Sequence, residues 1–285
     1  MKIAVFGKNG QVATELARRV PGGMEIRSIG RDEVDFAKPD QVHKAAETLE
    51  AEAIINAAAY TAVDQAEDEE ELANLINGTS VSTLAAVAAQ RNIPFVHLST
   101  DYVFDGSGQG PRRPDGLTRP LGAYGRSKLL GEKGITAAKG PHVILRTAWV
   151  FSAHGSNFVK TMLRLGRERE VLTVVSDQVG GPTPAGAIAD ACFKLTLALR
   201  DGAAGGLYHF AGAPDVSWAD FANEIMDQAG LRTSIVPIPS MKFQTKAVRP
   251  MNSRLDCSAT ERDFGITRPD WKSDLKGILE ELKVI

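Results

Sequence analysis

Short apolar runs alternate with longer amphipathic segments along the first half of the chain. The runs are rich in Ile, Val, Leu and Ala and lie at residues 3–6, 25–29, 53–56, 93–98 and 143–146. Runs of this length are typical of strands that are buried on both faces of a parallel sheet. A further short strand is predicted to end at residues 35–36. Helical periodicity fills the segments between the strands, so the pattern predicts six parallel strands in a doubly wound, Rossmann-type α/β fold.

After residue 150 the alternation becomes less regular. Helical patterns cover residues 157–165, 185–199, 218–229 and 273–282, and strand patterns cover residues 171–175 and 207–210. We therefore expect a dinucleotide-binding domain at residues 1–150 and a smaller, non-contiguous substrate-binding lobe at residues 151–285. Segments within about 185–212 are expected to return to the first domain.

A glycine-rich turn follows the first strand directly. Its sequence, Gly7-Lys8-Asn9-Gly10-Gln11-Val12-Ala13, has the spacing Gly-x-x-Gly-x-x-Ala, and a helical pattern begins inside it. A plain turn between a strand and a helix would look similar. At the start of a βαβ unit, however, such a turn is typical of a pyrophosphate site, because the first amides of the helix face the anion.

The end of the second strand predicts the coenzyme. The residues Gly30-Arg31-Asp32 lie where the ribose of a dinucleotide would lie. Arg31 can pair with a 2′-phosphate, whereas Asp32 can accept a hydrogen bond from a 2′-hydroxyl. We therefore expect NADPH to be preferred and NADH to be usable. Small side chains at residues 57–59, after the next strand, would let a cofactor approach the backbone.

A tyrosine and a lysine form the candidate catalytic pair. Tyr124 and Lys128 are four residues apart at the start of a predicted helix, so they share one helix face. A nearby ammonium group lowers the pKa of a phenol and makes it a usable general acid. Thr100 and Asp101 follow a predicted strand at the edge where α/β sheets bind ligands. The loop at residues 105–120, rich in Gly, Pro, Arg and Asp, is a candidate lid.

Composition narrows the class of ligand. The 285 residues include 33 basic and 35 acidic side chains, a formal charge of −2, which predicts no nucleic-acid or membrane surface and favours a small molecule. The two cysteines, Cys192 and Cys257, lack metal or disulfide spacing. No segment resembles a signal peptide or an apolar run of about 20 residues. We expect a cytoplasmic protein.

Several longer runs resemble a known family. Residues 6–12, 56–64 (Asn-Ala-Ala-Ala-Tyr-Thr-Ala-Val-Asp), 99–106 (Ser-Thr-Asp-Tyr-Val-Phe-Asp-Gly) and 252–255 (Asn-Ser-Arg-Leu) are similar to the dTDP-4-dehydrorhamnose reductase family of the extended short-chain dehydrogenase/reductases. The similarity extends over the whole chain. Tyr60 departs from the family pattern, which often has histidine at this position.

The resemblance implies roles for individual residues. Its catalytic residues would be Thr100, Tyr124 and Lys128. Its coenzyme contacts would be Gly7, Gly10, Gln11, Val12, Asp35, Phe36, Ala57, Ala58, Ala59, Tyr124 and Lys128, beside Arg31. Its substrate contacts would be Thr100, Asp101 and Trp149. Some members hold a magnesium ion between two subunits, which here would match Glu15, Asp190 and Glu281 and would imply a homodimer; three solvated carboxylates explain the same residues equally well.

The implied activity is reduction of the C4 ketone of dTDP-4-dehydro-6-deoxy-L-mannose to dTDP-L-rhamnose, with Tyr124 as the proton donor. A nucleotide-sugar epimerase or dehydratase of the same fold is an alternative. Dehydratases place an acidic pair after the threonine, whereas here Asp101 precedes Tyr102. A second alternative is a coenzyme-binding regulatory subunit, since a non-catalytic partner of methionine adenosyltransferase also resembles this family.

Overall fold

The computed structural model describes residues 1–285 and contains a central parallel sheet flanked by helices. The strands are β1 (Lys2–Phe6), β2 (Glu25–Ile29), β3 (Ala53–Asn56), β4 (Phe95–Thr100), β5 (His142–Thr147), β6 (Val150–Phe151), β7 (Val171–Val175), β8 (Val179–Gly180), β9 (Thr183–Pro184), β10 (Gly206–His209), β11 (Val216–Ser217), β12 (Ser234–Ile238) and β13 (Asn252–Ser253). The helices are α1 (Gln11–Arg18), α2 (Pro39–Thr48), α3 (Glu70–Asn74), α4 (Ser80–Gln90), α5 (Ala123–Ala138), α6 (Phe158–Glu168), α7 (Ala185–Arg200), α8 (Trp218–Gln228), α9 (Ser258–Phe264) and α10 (Trp271–Glu281).

The central sheet has six strands in the order β10-β5-β4-β3-β1-β2, and every pair is parallel. The predicted doubly wound α/β fold is therefore confirmed. The order reverses between β1 and β3, and ligands bind at such a switch point in folds of this class.

One predicted strand was wrong. Asp35 and Phe36 lie in turns between β2 and α2, where Val34 N–H donates to Gly30 O and Lys38 N–H donates to Asp35 O. Strand β2 is the edge of the sheet, so no strand lies beside it on that side. The sixth strand is β10 instead, which comes from the second half of the chain and pairs with β5.

Two large cores cover the faces of the sheet. The even and odd positions of β1 point to opposite faces, so Ile3 and Val5 pack with α7, whereas Ala4 and Phe6 pack with α2 and α4. A third core lies outside the sheet, where α6, α8 and α10 pack on β7 around Phe221. The two-stranded sheet of β7 and β12 belongs to this part of the molecule.

The stretch Glu70–Gln90 is long and apolar enough to cross a membrane by length and composition alone, which the sequence prediction had missed. It is α3 and α4 joined by the π-helical turn Leu75–Thr79. Half of its most apolar part is buried, and α4 packs against α2 and α5. This packing is that of a core helix on one face of an α/β sheet. Both cysteines are buried free thiols.

Candidate active site

The glycine turn after β1 has the shape that a pyrophosphate group requires. Gly7 has φ +110°, a conformation that side chains disfavour, and its N–H donates to Ile29 O at 2.9 Å. A Cβ on Gly7 would lie 3.1 Å from the backbone of Ala57. Gly10 precedes α1 without a side-chain cap, and the first turn has no acidic residue. The first amides of α1 thus remain available to an anion, which fits a dinucleotide coenzyme.

Gln11 connects the glycine turn to the segment after β5. Its Nε2 donates to Val150 O at 3.3 Å, and its Oε1 accepts from Asn157 Nδ2 at 2.9 Å. Val12 is buried in the core below the turn. The side chain of Gln11 is therefore committed to protein contacts, and it fixes the turn relative to the second half of the chain.

Four charged side chains surround the end of β2. Arg31 is 80% exposed, with Nε 3.6 Å from Asp35 Oδ1. Lys8, which sequence reasoning did not single out, has its Nζ 3.6 Å from Asp32 Oδ2. The two cations are held only by long, exposed ion pairs, which contribute little and are easily exchanged for a phosphate. Phe36 is buried and packs edge-on against Phe6, with 5.7 Å between ring centroids.

The end of β3 presents the three small residues Ala57, Ala58 and Ala59, all half-buried. The N–H of Ala58 donates to the side chain of Asn56 at 3.1 Å. Small side chains here leave the backbone open beside the glycine turn.

Tyr124 lies in the first turn of α5, half-buried, with its ring edge-on to Tyr102 at 5.5 Å. Burial raises the pKa of its phenol to about 12; a hydrogen bond with Thr100 acts in the opposite sense, and the charge of Asp101 adds to the rise. The expected lowering of this pKa by Lys128 is wrong for this structure. Lys128 is buried and its Nζ turns toward β4, 2.7 Å from Leu98 O.

Thr100 and Asp101 form a buried polar pair at the end of β4. The Thr100 hydroxyl donates to Asp101 Oδ1 at 3.2 Å and accepts from Tyr102 N–H at 3.2 Å. Asp101 is 3% exposed, and its Oδ2 has no hydrogen-bond partner. Burial raises the pKa of Asp101 to about 6, against hydrogen bonds from Ser253 and Thr100 that lower it. An unpartnered buried carboxylate oxygen can accept a hydrogen bond from a ligand hydroxyl.

Trp149 follows β5 in a left-handed conformation, φ +50°. Its indole stacks on Trp218, with ring centroids 3.6 Å apart and planes at 13°. Trp218 lines a cavity of about 500 Å³ together with Tyr102, Phe158, Gln178 and Arg249. The structure thus brings Thr100, Asp101 and Tyr124 together, and it joins Trp149 to this cavity through its stacking partner.

Two asparagines that sequence reasoning did not assign hold the site in place. Asn77, on the π-helical turn, is fully buried and donates to Ser127 Oγ at 2.9 Å, and Ser127 in turn donates to Tyr124 O at 2.8 Å. Asn252 Nδ2 donates to Gly110 O at 2.8 Å. The residues 252–255 therefore secure the predicted lid loop, which also pairs with them at Arg112. No spacing in the sequence identifies either contact.

Only two of the three predicted magnesium ligands, Glu15 and Glu281, are brought together. The carboxylate of Asp190 forms a two-point ion pair with Arg19, at 3.0 and 2.7 Å. Glu15 and Glu281 instead flank His154, whose Nε2 lies 3.3 and 3.5 Å from them. Arg18 also lies 2.8 Å from Glu281. Because arginines already neutralise two of the three carboxylates, the magnesium prediction is not supported.

Comparison with known proteins gives one consistent result. The family model described as RmlD substrate binding domain matches residues 1–284. The dTDP-4-dehydrorhamnose reductase of Burkholderia thailandensis is 44% identical over 95% of this chain and 96% of its own length. The solved structure of a dTDP-4-dehydrorhamnose reductase from Clostridium acetobutylicum has a TM-score of 0.93 at 35% identity, covering 99% of this chain and all of its own. The solved structure of the dTDP-4-dehydrorhamnose reductase from Bacillus anthracis in complex with NADP has a TM-score of 0.92 at 31% identity. It covers 98% of this chain and 99% of its own.

Proposed function

The chain belongs to the RmlD substrate binding domain family, and on that premise we propose that it is a dTDP-4-dehydrorhamnose reductase. It reduces the C4 ketone of dTDP-4-dehydro-6-deoxy-L-mannose to dTDP-L-rhamnose with a nicotinamide coenzyme, NADPH by preference. The observation that carries the proposal is the similarity to named reductases over nearly the whole length of both chains.

The chemistry of the site supports this activity. The coenzyme, when bound, supplies a hydride to the ketone carbon. Tyr124 donates the proton to the ketone oxygen; its phenol, with a pKa raised to about 12, is fully protonated at neutral pH and remains a stronger acid than an alcohol. Thr100 donates a hydrogen bond to the same oxygen as negative charge develops on it. Lys128 holds the nicotinamide ribose, and the first amides of α1 hold the pyrophosphate.

The cavity of about 500 Å³ fits the nucleotide part of the substrate. Its walls are aromatic and aliphatic, with Tyr102, Phe158 and Trp218 among them, and it also contains Arg169 and Arg249. Arg249 is half-buried and forms an ion pair with Asp64 at 2.7 Å. A base can stack on the aromatic rings while the arginines face the diphosphate. We propose that the part of residues 151–285 outside about 185–212 forms this substrate side, and residues 1–150 the coenzyme side.

The structure argues against elimination chemistry. A dehydratase needs a second acid beside the one that follows the threonine, and here that position is Tyr102, whose ring packs on Tyr124. A regulatory subunit without catalysis has no need of a buried Thr100, Asp101 and Lys128 around a phenol, because burying polar groups costs stability.

One experiment tests the proposal. The purified protein is mixed with NADPH and dTDP-4-dehydro-6-deoxy-L-mannose, and coenzyme oxidation is followed by absorbance. The product is then identified by mass and by NMR coupling constants. We expect dTDP-L-rhamnose. A 4-keto product with altered configuration would indicate an epimerase, and coenzyme binding without turnover would indicate a regulatory subunit.

A further inference from the structure

A buried histidine contacts the lysine of the proposed catalytic group. His97, on β4, is fully buried, and its Nε2 lies 3.1 Å from Lys128 Nζ. The other ring nitrogen, Nδ1, lies 3.0 Å from Asn56 Nδ2. His97 therefore joins the end of β3, which carries the small coenzyme-side residues, to the helix that carries Tyr124.

The hydrogen bonds around Asn56 fix the proton on this ring. The N–H of Ala58 donates to Asn56 Oδ1 at 3.1 Å, so the oxygen of the amide must face Ala58. The amide nitrogen then faces His97 Nδ1 and donates to it. An imidazole nitrogen that accepts a hydrogen bond carries no proton, so the single proton of the neutral ring lies on Nε2.

The Nε2–H group points at Lys128. An ammonium group has three donors and no acceptor, whereas an uncharged amine has a lone pair that can accept. Lys128 Nζ also donates a hydrogen bond to Leu98 O at 2.7 Å. All these contacts are satisfied together only when Lys128 is an amine. If Lys128 were an ammonium, two donors would face each other on the His97 ring. Either Nε2–H would face an N–H of Lys128, or Nδ1–H would face the N–H of Asn56.

We propose that His97 is a positioning residue whose fixed tautomer holds Lys128 as an uncharged amine in the protein without bound coenzyme. The consequence for catalysis rests on the proposed reductase function: Lys128 takes up a proton when an anionic coenzyme binds, and His97 determines how readily it does so.

The surroundings of Lys128 agree with this inference. Burial lowers the pKa of Lys128 to about 8, against the charge of Glu132, so the uncharged amine predominates above that pH, more than two pH units below the value for a free lysine. Burial also keeps His97 neutral, because it lowers the pKa of the ring well below its ordinary value. Glu132 is itself neutralised by Arg146 of β5, at 2.6 and 2.8 Å. The other charged or titratable groups on elements that pack against α5 are Glu67, Glu70, Glu71, Asp101, Tyr102 and His142; the π-helical turn and α4 have none.

Nitrogen NMR tests the tautomer without any activity measurement. The chain has five histidines, so protein labelled with ¹⁵N-histidine gives a short set of ring signals, and His97→Gln identifies the one from His97. At pH 9, above the pKa of about 8 of Lys128, we expect the pattern of a neutral ring protonated at Nε2. A ring protonated at Nδ1, or at both nitrogens, would overturn the proposal.

The pH dependence of kcat/KM tests the consequence, because it reports groups of the free enzyme. A glutamine at position 97 can turn its carbonyl oxygen to Lys128 and favour the ammonium. We therefore expect the fall of kcat/KM at high pH to occur about one pH unit higher in His97→Gln than in the wild type. His209→Gln is the matched control, since His209 is equally buried, lies on β10 and has no hydrogen bond to Lys128.

If kcat/KM fell at the same high pH in His97→Gln as in the wild type, or if both variants shifted equally, the coupling of His97 to Lys128 would be refuted. A wild-type protein without reductase activity would instead refute the proposed function, and the NMR result would still decide the tautomer.

Discussion

The hydroxyl of Thr100 donates a hydrogen bond to the carboxylate of Asp101, with 3.2 Å between Oγ1 and Oδ1. A threonine hydroxyl has one proton, so it cannot donate to Asp101 and to a substrate ketone together. If Thr100 donates to the substrate ketone as proposed, substrate binding turns this hydroxyl, and Asp101 takes a new donor, which a sugar hydroxyl can supply. On this proposal the pair would couple recognition of a hydroxyl to activation of the ketone.

Thr100→Val keeps the shape of the side chain and removes this donor. We expect kcat to fall about 10²- to 10³-fold, the usual loss when a donor to a developing oxyanion is removed, with little change in coenzyme affinity. Thr147→Val is the matched control, because Thr147 pairs with Thr100 across β4 and β5 and its buried hydroxyl has no partner. Equal losses in both variants would mean that Thr100 only supports the strand end.

Tyr124→Phe removes the proposed proton donor. General acid catalysis is worth about 10²- to 10⁴-fold, so kcat should fall on that scale while NADPH, followed by fluorescence titration, still binds. Tyr102→Phe is the control, because the Tyr102 ring packs on Tyr124 and a hydroxyl there has no assigned role. A fully active Tyr124→Phe protein would end the assignment.

Asp101→Asn should stabilise the protein at neutral pH. Burial raises the pKa of Asp101 to about 6 in the folded protein, above the value of about 3.9 in an unfolded chain. The carboxylate form is thus disfavoured by folding, and the cost of burying its charge is present above pH 6 and disappears as the pH falls toward 4.

We expect the Tm of Asp101→Asn to exceed that of the wild type at pH 7.5 and the difference to shrink between pH 6 and 4. Activity should fall, because Asp101 is expected to contact the substrate. A Tm difference that stays constant from pH 4 to 8 would show that Asp101 does not titrate in this range.

Trp149→Phe separates binding from packing. The indole is half-buried and stacks on Trp218, and aromatic pairs contribute about 0.5–1.5 kcal/mol beyond their buried area. We expect KM for the nucleotide sugar to rise and Tm to fall by only a few degrees. A large fall in Tm with a normal KM would show that Trp149 stabilises the core and does not contact the substrate.

Arg31→Ala should weaken the preference for NADPH. The guanidinium is held only by a 3.6 Å contact with Asp35, so it is free to pair with a 2′-phosphate. We expect the preference, measured as the ratio of kcat/KM for NADPH and NADH, to be about tenfold to a hundredfold and to shrink in this variant, through KM for NADPH. Lys8→Ala is the comparison, because Lys8 pairs with Asp32 beside the same strand end. An unchanged ratio in Arg31→Ala would contradict the assignment.

Local patterns in the sequence were sufficient for the fold class and for most elements. Strand β3 and strand β7 were predicted with their observed bounds, because short apolar runs favour strands both where two faces are buried, as in β3, and where one face is buried, as in β7. The glycine turn was predictable for a similar reason: the left-handed backbone of Gly7 is a local requirement. The positions of Thr100 and Tyr124 followed from strand ends and helix periodicity.

Only the tertiary structure decided which segments of the chain pair with one another to complete the sheet. The sixth strand is β10, some 60 residues beyond β5, and it pairs with β5, whereas no strand forms at residues 35–36 beside β2. The contacts of the charged side chains were likewise decided by the tertiary structure. Spacing placed Lys128 one turn from Tyr124 but not its Nζ against His97 and Leu98. The family resemblance grouped Asp190 with Glu15, whereas in the structure Asp190 pairs with Arg19. Such contacts join residues far apart in sequence, and burial, which sets their pKa values, exists only once the chain has packed.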